Sequence, residues 1–253
     1  MRCILFMLFL CSIAAPDASG QTLYVHDTTF LGNIGRVDVT TGNVELIGSA
    51  GTQVTDIAFS PDGVLFGTSF NRLFTIDRNT ASISDIGAHG IPGANSLVFG
   101  TNGVLYASSG TTSSLYEIDP TTAASTNLGD IGFTSAGDLA FNGDGFFLSS
   151  SSGELVSVDL ANDAAGTSIG QFGFSSVFGL ASAENGVLFG VSGSSIFSVD
   201  TETGQGTLVS SYEGQGLGAA GGTSFISEAI SVPEPSLSPF VFMLAMMLRR
   251  RKG

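Results

Sequence analysis

Three oxygen-bearing side chains recur near the start of similar short segments of this 253-residue chain. They are Asp56 in Thr55-Asp56-Ile57-Ala58-Phe59, Asn95 in Asn95-Ser96-Leu97-Val98-Phe99 and Asp138 in Gly137-Asp138-Leu139-Ala140-Phe141. If these segments are the inner strands of a ring, the three side chains converge on its axis, with Ser96 beside one of them. Such a set could hold a hydrated cation, calcium being the natural choice for hard oxygen ligands, or hydrogen-bond sugar hydroxyls. As a pair of carboxylates, Asp56 and Asp138 also have the residue types for glycosidic cleavage. The plainer reading is that all three cap strand ends by accepting backbone N–H bonds.

Other reactive combinations are few. The chain has no His-Glu-x-x-His and no spaced histidine cluster for zinc. His26 and His89 fall at non-equivalent positions and are expected to be solvent-exposed loop residues. Gly216-Leu217-Gly218-Ala219-Ala220-Gly221 spells a dinucleotide fingerprint, but neither a following helix nor an acidic ribose ligand accompanies it. Asn142-x-Asp144-Gly145 carries part of a calcium-loop pattern and reads better as a hairpin turn. The expectation is a protein without catalytic residues, resident metal or cofactor, with calcium at the axial oxygens as the one exception to test.

The elements that must position these residues form an internal repeat. Asp38, Asp77, Asp119, Asp159 and Asp200 each close an apolar segment, at intervals of 39, 42, 40 and 41 residues. Four short apolar segments per unit at a period near 40 predict an all-β, five-bladed propeller of four-stranded antiparallel blades. Phe59, Phe66, Phe74 and their counterparts are expected to fill the gaps between blades. Asp62-Gly63, Asn102-Gly103, Asp144-Gly145 and Asn185-Gly186 each join two apolar runs as hairpin turns. The Asp-x-x-Thr-Gly form at Asp38 and Asp200 predicts Asx-type turns. The first repeat lacks its first strand, and Gly216-Leu217-Gly218-Ala219-Ala220 is expected to supply it and zip the ring shut. No stretch has helical apolar spacing, so helices should be nearly absent.

Composition separates this core from the two ends. Of 8 basic residues, Arg2, Arg249, Arg250, Arg251 and Lys252 lie outside it; of 22 acidic residues, only Asp17 and Glu234 do. The segment 21–230 therefore carries 3 − 20 = −17, a field that repels nucleic acid and anionic headgroups and favours solubility. Residues 1–20 have a basic start, an apolar run and small residues at Ala18 and Gly20, which reads as a secretory signal peptide. Both cysteines, Cys3 and Cys11, lie in it, so the mature protein would hold no thiol or disulfide.

Residues 231–253 begin with Val232-Pro233-Glu234-Pro235-Ser236, where two prolines hold the backbone extended. An apolar run from Leu237 to Leu248 follows, then Arg249-Arg250-Arg251-Lys252 as a cytoplasmic stop. Twelve residues make about 18 Å of helix against a hydrocarbon core of roughly 30 Å, which suits a short or transient anchor. This order resembles the PEP-CTERM sorting tail of bacterial exported proteins. The resemblance implies processing near Pro233-Glu234-Pro235 by an exosortase, passage through the secretion machinery and the inner membrane, and a cell-surface or released product. It also implies association with exopolysaccharide production. The repeat loosely resembles quinoprotein-like and NHL-like propellers; with no tryptophan in the chain it is not of the WD40 kind. The expected function is a non-catalytic binding or matrix component of the envelope or exopolysaccharide. The alternative is a polysaccharide hydrolase or lyase using Asp56 and Asp138.

Overall fold

A computed structural model describes residues 21–229, and all regular secondary structure there is β-strand. The expected signal peptide at 1–20 and the sorting tail at 231–253, with Val232 to Ser236 and Arg249 to Lys252, lie outside the described residues. Among the described residues, no helix is long and apolar enough to cross a membrane.

The described strands form five four-stranded antiparallel sheets arranged as a propeller. In the first, β1 (Thr22–Asp27), β2 (Asn33–Asp38) and β3 (Val44–Ser49) follow one another outward, and β20 (Ala220–Phe225) lies inside β1. The second blade is β4 (Asp56–Phe59), β5 (Leu65–Thr68), β6 (Arg72–Ile76) and β7 (Ile83–Ala88). The third is β8 (Ala94–Phe99), β9 (Leu105–Ser109), β10 (Ser114–Ile118) and β11 (Ser125–Asp130). The fourth is β12 (Ser135–Asn142), β13 (Gly145–Ser150), β14 (Glu154–Asp159) and β15 (Ala165–Gln171). The fifth is β16 (Val177–Ser182), β17 (Leu188–Ser192), β18 (Ser195–Val199) and β19 (Gly206–Ser211). The inner strands β4, β8, β12, β16 and β20 pack on one another in that order, and β20 returns to β4.

The ring closes as expected, but with a different segment. Gly216 to Ala219 form the approach, and the pairing strand is Ala220–Phe225, with Leu23 opposite Phe225 and Val25 opposite Thr223. Two glycines and a serine among its six residues have little strand propensity of their own. Their extended form is imposed by β1 on one side and by β16 and β4 at the axis.

Apolar residues hold the blades face to face, where burial contributes about 25 cal/mol per Å². Tyr24 and Ile34 of the first blade pack with Ile57, Phe59 and Phe74 of the second. Tyr24 meets Phe59 edge-on at 4.8 Å, and Phe66 meets Phe99 of the third blade at 5.1 Å. The closing seam carries Phe189 against Phe225 at 5.8 Å.

Turn chemistry explains the spacing. Asp38, Asp77, Asp119, Asp159 and Asp200 each accept a backbone N–H from the residue two positions on, at 2.8–2.9 Å. The hairpins are more varied than their letters suggest. Gly63, Gly103 and Gly186 take φ near +80° at the end of three-residue loops. At Asp144-Gly145 the positive φ falls instead on Gly143, because Asn142 pairs directly with Gly145 across a two-residue turn. The partial calcium-loop pattern is therefore this hairpin.

Candidate functional site

Asp56 on β4 and Asp138 on β12 sit at one level of the inner ring, with neither side chain reaching solvent. Strand register assigns the level: Phe59, Phe99, Phe141, Ser182 and Phe225 are equivalent, each opposite the first residue of its neighbouring strand or next to it. Counting back three places gives Asp56, Ser96, Asp138, Gly179 and Gly222. Asn95 therefore lies one residue off the level, contrary to the sequence expectation, and Ser96 is the true counterpart. Ser96 turns back into its own blade and hydrogen-bonds Ser108.

The two carboxylates have a definite task. An inner strand of a propeller has no strand partner on its axial side, so its N–H groups there need other acceptors. Asp56 accepts from Ile57 at 2.8 Å and from Leu97 at 2.5 Å. Asp138 accepts from Leu139 at 2.8 Å, Leu180 at 2.7 Å and Thr223 at 3.1 Å, and also from the Thr223 hydroxyl at 3.1 Å. These five amides are the residues following the Asp56 level in all five inner strands. Two aspartates thus satisfy one complete ring of backbone donors. Gly222 makes room for this, since a Cβ there would run into Asp56 Oδ1.

Burial pushes both carboxyl groups well above the usual range, partly offset by the amides that favour the charged form. Asp138 raises Asp56 further by its charge. With their oxygens occupied and Asn95 off the level, the three residues do not make a cation's ligand set. Among the described residues, no group of three His, Cys, Asp or Glu side chains could hold a metal ion.

Two features lie outside what the sequence suggested. Both histidines are buried rather than exposed in loops. His89 Nδ1 accepts from Ile91 N–H and its Nε2 lies 3.2 Å from Thr68 Oγ1, so it fastens the β5 end to the β7–β8 loop. His26 is on β1, where the absent side chain of Gly221 leaves space for its ring. At the opposite end of the channel, partly buried Glu228 accepts from Ser182 N–H at 3.3 Å and Ser224 Oγ at 3.4 Å. Burial, and then the charge of Asp138, raise its carboxyl. Glu228 lines a cavity of about 280 Å³ with Phe141, Asn142 and Glu184.

The face where the inner strands begin carries cavities of its own. A cavity of about 180 Å³ there is lined by His26, Gln53, Thr55, Phe70, Asn95 and Phe178, among others. It adjoins a groove of about 720 Å³ that shares Asn95, Ala136 and Phe178 and adds Ser135, Ser150, Ser152 and Gln171. The β1–β2 and β5–β6 hairpins rise on this same face and carry Phe30, 80% exposed, and Phe70, 49% exposed.

Fold and site together define an all-β, five-bladed propeller whose axial carboxylates are buried between cavities at its two faces. No protein-family model matches the chain, and no curated protein sequence matches it. Solved structures match the fold at low identity. A chain in a nidogen/laminin complex is 14% identical over 81% of this chain and 81% of its own length, with a TM-score of 0.57. An auxiliary nutrient binding protein from Bacteroides thetaiotaomicron is 13% identical over 73% and 53%, at 0.52. A gluconolactonase from Xanthomonas campestris is 14% identical over 79% and 76%, at 0.50.

Proposed function

We propose that this chain is exported, sorted by its C-terminal tail and an exosortase, and acts outside the cell as a non-catalytic binding component of the envelope or its polysaccharide matrix. One observation carries the binding part: the axial carboxylates are committed to backbone amides, while the face above them presents a cavity lined by half-exposed Phe70 and by Phe178, adjoining a serine-rich groove. Exposed aromatic and polar groups beside a concavity suit recognition of a polymer rather than turnover. The high negative charge of the segment 21–230 adds solubility and argues against a nucleic-acid or anionic lipid partner.

Proteins of the same fold include a nutrient binding protein and a lactonase, so the fold leaves both classes open and the site has to decide. Hydrolysis by Asp56 and Asp138 would need both carboxyl groups open to a glycosidic bond and to water. Their complete burial favours the binding reading over that alternative.

The test is made in a host that carries the sorting enzyme. Wild-type chain and a variant with Val232 to Ser236 replaced by alanine are fractionated, and both termini are read by mass spectrometry. The expected wild type starts near Gln21, has lost its tail and co-fractionates with matrix polysaccharide without releasing reducing sugar. A chain that stays in the cytoplasm, or that releases reducing sugar, would end the proposal.

A further inference from the structure

Buried polar atoms without a partner are uncommon, because each forfeits its bond to water. Among the described residues four side-chain atoms are in this state: His26 Nε2, Asn95 Oδ1, Ser135 Oγ and Thr112 Oγ1. The first three line the mouth cavity or the groove that adjoins it. Such clustering points to a ligand that completes them.

Their chemistry defines what it must bring. His26 Nδ1 lies 3.2 Å from the Asp27 carbonyl, and the Thr55 and Gly221 carbonyls also approach the ring. Burial holds the ring's pKa down at about 4, which keeps it neutral, so that Nε2 offers a lone pair in one tautomer and an N–H in the other. Asn95 commits its Nδ2 to the Ser135 carbonyl at 3.2 Å, so Oδ1 is a free acceptor. The cavity therefore presents one amide acceptor and one unpartnered ring nitrogen, and asks for a group that can both donate and accept. No carboxylate lines it, so an ammonium group has no counter-charge. One imidazole and one amide oxygen are too few for a divalent metal. Phe70 and Phe178 supply flat apolar walls. A volume of about 180 Å³ is small beside the roughly 300–1,000 Å³ of drug-sized sites. That leaves room for one six-membered ring.

We propose that the mouth cavity is a subsite for one neutral polyhydroxylated ring, the terminal residue of a saccharide. Hydroxyls donate to Asn95 Oδ1 and pair with His26 Nε2 in whichever sense its tautomer takes, the ring's C–H face lies against Phe70 and Phe178, and the chain continues over Ser135 into the groove. This deepens the polysaccharide-binding reading above and rests on it for the polymer, though not for the ring.

The experiment is calorimetric or NMR titration of the full-length secreted protein with a panel of neutral methyl pyranosides. Their O-permethylated forms, calcium chloride and methylamine serve as controls. At least one pyranoside should bind, its permethylated form should not, and Phe70→Ala and Asn95→Leu should each weaken binding about tenfold. Phe70 is half exposed in a hairpin, so Phe70→Ala should keep the wild-type melting temperature and separate loss of the site from loss of the fold. Binding of calcium or methylamine alone, or pyranoside binding unchanged in both variants, overturns the subsite. Protein that stays with the matrix while its pyranoside binding ignores both substitutions sinks this inference only. Protein that binds pyranosides yet leaves the matrix sinks the polymer reading only.

Discussion

Asp138 and Thr223 are 85 residues apart in the chain and meet at the axis, where one carboxylate oxygen accepts both the amide and the hydroxyl of Thr223 at 3.1 Å. The contact joins the fourth blade to the strand that closes the first. Since the same oxygen takes Leu180 N–H, a single side chain ties three inner strands together.

Replacing Asp138 should therefore be expensive in a graded way. Asp138→Ala strands the buried amides of Leu139, Leu180 and Thr223, at a cost on the order of 3 kcal/mol or more. Asp138→Asn keeps one acceptor for Leu180 and Thr223 and turns its NH₂ toward Leu139, so it should fall between wild type and Ala. Urea midpoints at constant m-value provide the check.

Glycine at 222 is predicted to be required by the neighbouring blade rather than by its own strand. Gly222→Ala drives a Cβ into Asp56 Oδ1, and overpacking of this kind costs about 1–3 kcal/mol. Asp56→Ser in the same chain relieves the clash, so the two losses should fail to add. Additive losses would show that the contact is not the cause. A double-mutant cycle by thermal melting measures it.

The pH profile follows from opposing groups. Asp27, Asp77, Asp85, Asp119, Asp130 and Asp200 have lowered carboxyls, so the stability they contribute is present above about pH 4 and lost below it. In Asp27 the bonds from Thr29, Asn33 and Gly218 outweigh its burial. Asp56, Asp138 and Glu228 are raised, hold protons the unfolded chain releases, and so lose stability as pH climbs above about 4. His26, lowered to about 4 by burial, and His89, also lowered, act the other way between about pH 4 and 6.5, where only the unfolded chain protonates them. A near-flat stretch between about pH 4 and 6.5 is expected, with a steep fall on the acid side and a slower decline above. Melting temperatures across pH 3–9 test it, and Asp138→Asn should flatten the alkaline decline.

Local rules were legible in the sequence and long-range ones were not. The period showed through Asp38, Asp77, Asp119, Asp159 and Asp200 because an Asx turn needs only residues two and three places on. The inter-blade phenylalanines showed because apolar burial needs no particular partner. The letters alone put Asn95 level with Asp56, since they do not resolve a one-residue register step, which the Ser96–Ser108 pairing does. They also start the closing strand too early, because Ala220 to Phe225 takes its form from neighbours distant in the chain. Burial of His26 depended on Gly221, almost two hundred residues later; that Gly221-Gly222 pair is the one signal that could have hinted at it.

Closure itself gives the last prediction. Thr223 lies opposite Val25 and donates its N–H across the axis to Asp138, so Thr223→Pro removes that donor and bends the closing strand. β1 then becomes an unpaired, largely buried edge open to pairing with another chain. The expected variant lacks a cooperative thermal transition and elutes as oligomers in size-exclusion chromatography. The control is Ser224→Ala in the same strand, which loses the hydroxyl that accepts Phe59 N–H at 3.2 Å and donates to Glu228 at 3.4 Å, a cost of about 1–2 kcal/mol. That variant should stay monomeric and cooperative. If Thr223→Pro did too, the seam would contribute little and the blades would be holding the ring by their apolar faces alone.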